Sequence, residues 1–200
     1  MWKYILLSAS LAASLAAAPA NYDIDSSHSN AQFTVRHLMI SNVKGSFQKV
    51  TGKAVYDPSN LPASSLEAVI DVTTINTLEP KRDAHLKSPD FFDAAKHPTM
   101  TFRSTKFYKE GAKLKIAGNL TIRGVSKPVV LDVDGPTAEI KDPWGAYRIG
   151  ASATTTINRK DFGLTWNAAL ETGGVAVGEE VKIAIDVELV KRQAAKAASE

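Results

Sequence analysis

The sequence predicts an all-β protein of about eight antiparallel strands. Apolar and polar residues alternate over most of the chain after residue 20, the signature of half-buried strands. Turn clusters punctuate the alternation: Asp57-Pro58-Ser59-Asn60, Gly135-Pro136 and Asp142-Pro143-Trp144-Gly145. Each strand therefore has one dry face, and a sandwich or a closed barrel buries such faces. Closure removes exposed edges, and an eight-stranded barrel is filled by side chains or holds one small ligand. Alternation alone does not choose between these arrangements.

The N-terminus differs from the rest. Lys3 precedes an uncharged apolar run from Tyr4 to Ala17, and Ala18-Pro19-Ala20 has the small-x-small form of a signal-peptidase site. Residues 1–20 read as a signal peptide with Asn21 as the mature start. The run is too short to span a bilayer comfortably. The expectation is a periplasmic or secreted protein with no stable membrane anchor. There is no cysteine, so no disulfide forms and no thiol carries a lipid. The 200 residues are 44% hydrophobic and 22% charged, enough for one domain with a sizeable core. The net charge of +3 comes from lysines scattered among acids. This argues against a nucleic-acid partner and leaves a slight bias towards anionic lipid headgroups.

The elements follow in order. Phe33, Val35 and His37 share one strand face, and Gly45, Phe47 and Val50 to Tyr56 continue a second strand. Leu66, Ala68, Ile70 and Val72 line the next. The period then breaks: Glu79-Pro80 suits a helix start, Lys81 to Lys87 one or two turns, and Ser88-Pro89 its end. Strands resume at Thr99, with Met100 and Phe102 facing one way. Leu114, Ile116, Leu120 and Ile122 form one further dry face, and Val129, Leu131 and Val133 another. Tyr147, Ile149, Ala151, Ala153, Thr155 and Ile157 make a long face with a small middle. Val181 to Leu189 alternates as the last strand. Between these two, Arg159 and Asp161 read as a structural turn pair, and Phe162 returns to the core. Residues 193–200 read as a disordered tail.

The segment from Asp83 to Phe102 is long, charged and aromatic between two strands. Connections of that kind are usually lids or packing elements. Arg82 and His85, three apart on the short helix, can face each other. They read either as a local capping network or as headgroup contacts at a pocket mouth, with Phe91 and Phe92 plugging that end. His37 reads as a hydrogen-bonded core residue or as a group orienting a ligand's polar end.

No enzyme signature emerges. The chain lacks a Gly-x-Ser-x-Gly elbow and a cysteine nucleophile. Its four histidines are dispersed, without the His-Glu-x-x-His spacing of a zinc site. No catalytic or metal-ligating residue is assigned.

Ordered blocks run through the chain: Tyr22-x-Ile24-Asp25-x-x-His28-Ser29, Phe33-x-Val35-x-His37, Gly45-x-Phe47 and Arg82-Asp83-x-His85-Leu86-x-Ser88-x-Asp90-Phe91-Phe92-Asp93. They continue with Gly118-Asn119-Leu120-Thr121-Ile122-Arg123-Gly124-Val125, Asn158-Arg159-x-Asp161-Phe162-Gly163 and Val177-Gly178-x-x-Val181. These blocks resemble the YceI-like family of exported lipid-binding proteins, over essentially all of residues 21–192. The resemblance implies an extended eight-stranded antiparallel lipocalin-like barrel with a short helix in a long connection, often dimeric. It implies no cofactor beyond a bound isoprenoid-type or other long-chain lipid. The inward residues Phe33, Val35, Phe47, Ile70, Met100, Phe102, Leu120, Ile149, Ala151 and Phe162 would line its pocket. The expected function is a carrier or sequestering protein. The alternatives are a structural or stress-response module with an incidental pocket and, further off, an enzyme.

Overall fold

The computed structural model describes residues 19–193 except Thr172. Most of the signal-peptide reading and residues 194–200 of the tail lie outside the described residues. Among the described residues twelve strand segments and one α-helix follow in chain order: β1 (Ala20–Ile24), β2 (Asn30–His37), β3 (Ser41–Phe47), β4 (Val50–Tyr56), β5 (Ser65–Asp71), β6 (Ile75–Asn76), α1 (Pro80–Lys87), β7 (Thr99–Glu110), β8 (Lys113–Ile122), β9 (Val125–Asp134), β10 (Ile140–Lys141), β11 (Tyr147–Asn158) and β12 (Val177–Lys191).

The ladder runs β11-β9-β8-β7-β5-β4-β1-β12, and β12 pairs back onto β11. Eight antiparallel strands thus close into a barrel, which settles the choice that alternation left open. The fold is all-β and lipocalin-like, with one short helix.

The barrel is longer than that ring. Strand β12 has 15 residues, about 50 Å when extended. One of its edges pairs first with β2, over residues 177–186, and then with β1, over 189–191. β1 and β2 are therefore two pieces of one row. The next row is also split: β3 pairs with β2, and β4 with β1. The sequence read Gly45 to Tyr56 as one strand, but the chain bends between these pieces. There the Thr74 hydroxyl accepts both the Gln48 and Lys49 amides, at 3.1 and 3.3 Å. A side chain takes the place of a ladder partner, which hydropathy does not register.

The inward faces meet in one apolar core. Phe102 and Phe107 are an odd number of residues apart, yet both are buried. A bulge between Ser104 and Lys106 resets the alternation. Large rings are admitted by missing side chains opposite. A Cβ on Gly118 would lie 2.4 Å from the Phe102 ring, and one on Gly45 2.4 Å from the Phe33 ring. Among the described residues no helix is long and apolar enough to cross a membrane.

Candidate ligand cavity

A cavity of about 230 Å³ lies inside the barrel. Every row of the barrel contributes to its wall. Phe33 and Val35 come from β2, Ile70 from β5, Met100 and Phe102 from β7, Leu120 from β8, Ile149 and Ala151 from β11, and Ile183 and Ile185 from β12. The polar residues on the wall turn their polar ends elsewhere. The Gln32 amide donates to Asn30 at 2.9 Å and the Ser152 hydroxyl to Asp186 at 2.7 Å. What faces the hollow is hydrocarbon, and an apolar cavity of this kind stays dry.

One end is walled by the connection that follows β6. Glu79 caps α1 by accepting the Lys81 amide at 3.1 Å, and Pro80 occupies the first turn. Asp83 accepts from the Thr77 amide (2.9 Å) and hydroxyl (2.5 Å). Arg82 donates to the same hydroxyl (2.8 Å) and to the Thr77 carbonyl (2.9 Å). After the helix, the Ser88 carbonyl accepts the Phe91 and Asp93 amides, and Phe92 donates to the Leu86 carbonyl at 3.0 Å. Backbone bonds thus fix two adjacent phenylalanines on the cavity wall. Phe92 meets Phe47 edge-on at 5.6 Å between centroids, and Phe47 meets Phe33 at 5.7 Å. Phe91 packs on Trp166 at 5.2 Å, and His85 stands edge-on to both.

A buried cation braces the neighbouring loop. Arg159 is only 4% exposed. It donates to the carbonyls of Gly178 (2.8 Å), Leu164 (2.5 Å), Trp166 (2.9 Å) and Val177 (3.2 Å). Burial pushes its pKa down from the usual guanidinium range, and the Glu179 charge opposes that shift. The turn pair with Asp161 expected from the sequence is not made; the carbonyl cage takes its place.

Comparison with known proteins fits this architecture. A family model described as the YceI-like domain matches residues 22–189. The chain belongs to the YceI-like family. It is similar to a UPF0312 protein of Pectobacterium carotovorum, 36% identical over 182 residues covering 91% of each chain. It is also similar to the crystal structure of a Campylobacter jejuni YceI protein. That match is 35% identical, with a TM-score of 0.66, and covers 78% of this chain and 90% of that one. A domain from Saccharophagus degradans described as polyisoprenoid binding matches at TM-score 0.62. It is 17% identical and covers 86% of this chain and 98% of that one.

Within this YceI-like barrel the structure brings twelve of the residues singled out from sequence onto one wall: Phe33, Val35, Phe47, Ile70, Phe91, Phe92, Met100, Phe102, Leu120, Ile149, Ala151 and Phe162. Three others lie off it. His37 keeps the parity of Phe33 and Val35 but is exposed at the end of β2. Alternation fixes the face of a strand residue, not its depth along the barrel. Arg82 and His85 do not meet. Arg82 turns back to Thr77, while His85 Nε2 lies 3.0 Å from Asp90. The sequence reading missed Trp166 and the brace role of Arg159. Neither sits in an alternating run, so no periodic signal marks them.

At the opposite end, Asp25, His28 and Glu188 bring possible metal-ligand atoms within 4.8 Å of one another. Arg148 already supplies the positive charge, 2.6 Å from Asp25 and 2.7 Å from Glu188. The Ser27 hydroxyl, followed by Arg148 and His28, holds the Asp25 carboxyl well below the usual carboxylate range. His28 is raised by its bond to Asp25.

Proposed function

We propose that this YceI-like protein binds a long-chain isoprenoid-type or other amphiphilic lipid inside the barrel, and serves as an exported carrier or sequestering protein. The observation that carries this reading is the dry hollow inside the closed barrel, with hydrocarbon facing it. Burying several hundred Å² of chain in such a hollow gains on the order of 10 kcal/mol before ordering costs. The polyisoprenoid-binding description of the Saccharophagus degradans domain supports the choice of ligand class. Among the described residues the cavity surface is hydrocarbon, which favours a ligand whose polar end stays at a barrel end. The volume of about 230 Å³ lies below the roughly 300–1,000 Å³ of preformed ligand pockets. A long chain therefore enters only as the wall gives way, and the side-chain wall of Phe91 and Phe92 is the part best suited to give.

The test is native mass spectrometry of protein purified without detergent, followed by lipid extraction. A bound species of lipid mass is expected. A barrel that is empty and also refuses added polyprenyl alcohols and fatty acids would overturn the reading. The same spectrum reports whether the protein is the homodimer that the resemblance implies. The intact mass of exported protein reports whether the chain starts at Asn21.

A further inference from the structure

The turn between β2 and β3 breaks two rules at once. Leu38 and Met39 both have left-handed backbones, with φ of 49° and 60°. The Ile40 amide closes the turn onto the His37 carbonyl at 3.1 Å. Two adjacent positive φ values are the mark of a type I′ hairpin turn, which favours Asn-Gly because side chains are strained there. The β8–β9 hairpin places a glycine, Gly124, at the second of its two left-handed positions. The β2–β3 turn spends the same geometry on leucine and methionine. It then exposes them: Leu38 36%, Met39 42% and the following Ile40 76%. Strain combined with apolar exposure gains nothing for folding, and such outliers point to function.

The surroundings identify the partner's chemistry. From Ala31 to Tyr56 the two strand rows carry Arg36, His37, Lys44, Lys49 and Lys53 and no acidic residue. Arg36 and His37 directly precede the tip, and both are exposed. Lys49 and Lys53 are engaged by Asp71 and Glu67 of β5, at 3.8 and 3.4 Å, so Arg36, His37 and Lys44 are the basic groups that bear on the tip. The acids on the elements beside it are Glu171, on the adjoining turn, and Glu179 and Glu180 on β12. Of these, Glu179 is held by Lys160 at 2.5 Å. The tip also marks one end of the cavity. Val35, two residues before His37, lines the wall, as does Val177, which pairs with His37. Leu78, exposed at 90% with φ 62°, follows Thr77, which packs on Gly45 of the same hairpin.

We infer that the Leu38-Met39-Ile40 tip docks reversibly on an anionic lipid bilayer, setting this end of the barrel against the membrane. Apolar tip residues enter the interface while Arg36, His37 and Lys44 meet the headgroups. The purpose assigned to docking, exchange of the barrel's lipid, rests on the function proposed above; the docking itself does not.

The experiment uses the exported protein as recovered, with its N-terminus fixed by intact mass. Co-sedimentation is measured with vesicles of phosphatidylcholine and phosphatidylglycerol at 3:1, against phosphatidylcholine alone. Binding is expected to the anionic vesicles, weakened by salt. The double variant Leu38→Asn with Met39→Gly suits the turn better. It is expected to lose at least about tenfold in vesicle affinity while its melting temperature stays level or rises. Ile40→Asp, at the most exposed tip position, is the second variant and is expected to lose a similar factor. Equal vesicle binding by wild type and both variants overturns the inference. So does a wild type that ignores vesicles but forms a dimer that the tip variants dissolve, which would make the tip a self-association surface. Loading with polyprenyl alcohol from detergent micelles is the parallel arm. If wild type binds vesicles but never loads, docking stands and the lipid-binding reading falls.

Discussion

The barrel is closed in two ways at its two levels. Around β1, β4 and β5, closure is made by the backbone: each strand pairs with both neighbours, and β11 meets β12 along 11 registered residues. At the other level the ladder stops at β6, which among the described residues pairs only with β3. There α1 stands against β6, and the cavity is walled by side chains of the segment after it, chiefly Phe91 and Phe92. A ladder opens only by breaking many coupled bonds. A side-chain wall opens when a few rings and one helix shift. Local opening should therefore concentrate at the α1 level, although both levels bury similar apolar residues.

The largest expected effect falls on the ladder-closed wall. Phe102→Asp places an unpaired charge on a face with no partner for it. It should cost more than about 4 kcal/mol and leave the protein unfolded. Denaturant unfolding or soluble yield checks this. A stable, folded variant would mean that water already reaches Phe102 and that the wall is not dry. Next comes Arg159→Leu, which strips four carbonyls of their shared donor. A loss of about 3 kcal/mol is expected, with loosening of the Leu164–Trp166 loop seen by hydrogen exchange.

Two truncations of comparable cost separate the levels. Phe92→Ala and Met100→Ala should each destabilise by about 2–4 kcal/mol. Only Phe92→Ala should accelerate release of a bound fluorescent fatty acid, by about tenfold or more. Equal acceleration by both would mean that the α1 wall is no gate and that the two levels open alike.

These contrasts also explain what was legible in advance. The ladder-closed wall was legible because burial on one strand face writes a period of two into the sequence. Met100 with Phe102, Leu120 with Ile122 and Ile149 with Ala151 follow that rule. Phe91 and Phe92 were found by a different signal, two adjacent aromatics in a long charged connection. Where neither signal operates, reading failed. The bend between Phe47 and Val50 depends on one hydroxyl from Thr74, 25 residues or more away. His37 has the right parity and the wrong depth. Arg159 is placed by carbonyls of a loop whose path has no period, so the nearest acid in sequence, Asp161, looked like its partner. Long-range polar contacts to backbone leave no pattern in composition, and they carry the side-chain-closed end.

The smallest effects are in pH. Asp25 has its folded pKa depressed, so its contribution is present above the ordinary carboxylate range, near 3.9, and is lost as pH falls below it. Exposed His28 is raised, so any contribution is present below about 6.5 and lost as pH rises through its folded value. Tyr22 gives the cleaner test, because it sits in β1 on the ladder-closed level. Burial first, and then the Glu139 charge, push its hydroxyl from 10.0 up to about 12. Raising an acid's pKa on folding favours the neutral form. The stabilisation is thus full below pH 10 and is lost progressively between pH 10 and about 12. Wild type should lose melting temperature over that window, and Tyr22→Phe should lose less while forfeiting the 3.2 Å bond to Glu139. Equal slopes in the two proteins would mean that the alkaline transition starts elsewhere, and that the backbone-closed level is not the one that first admits hydroxide.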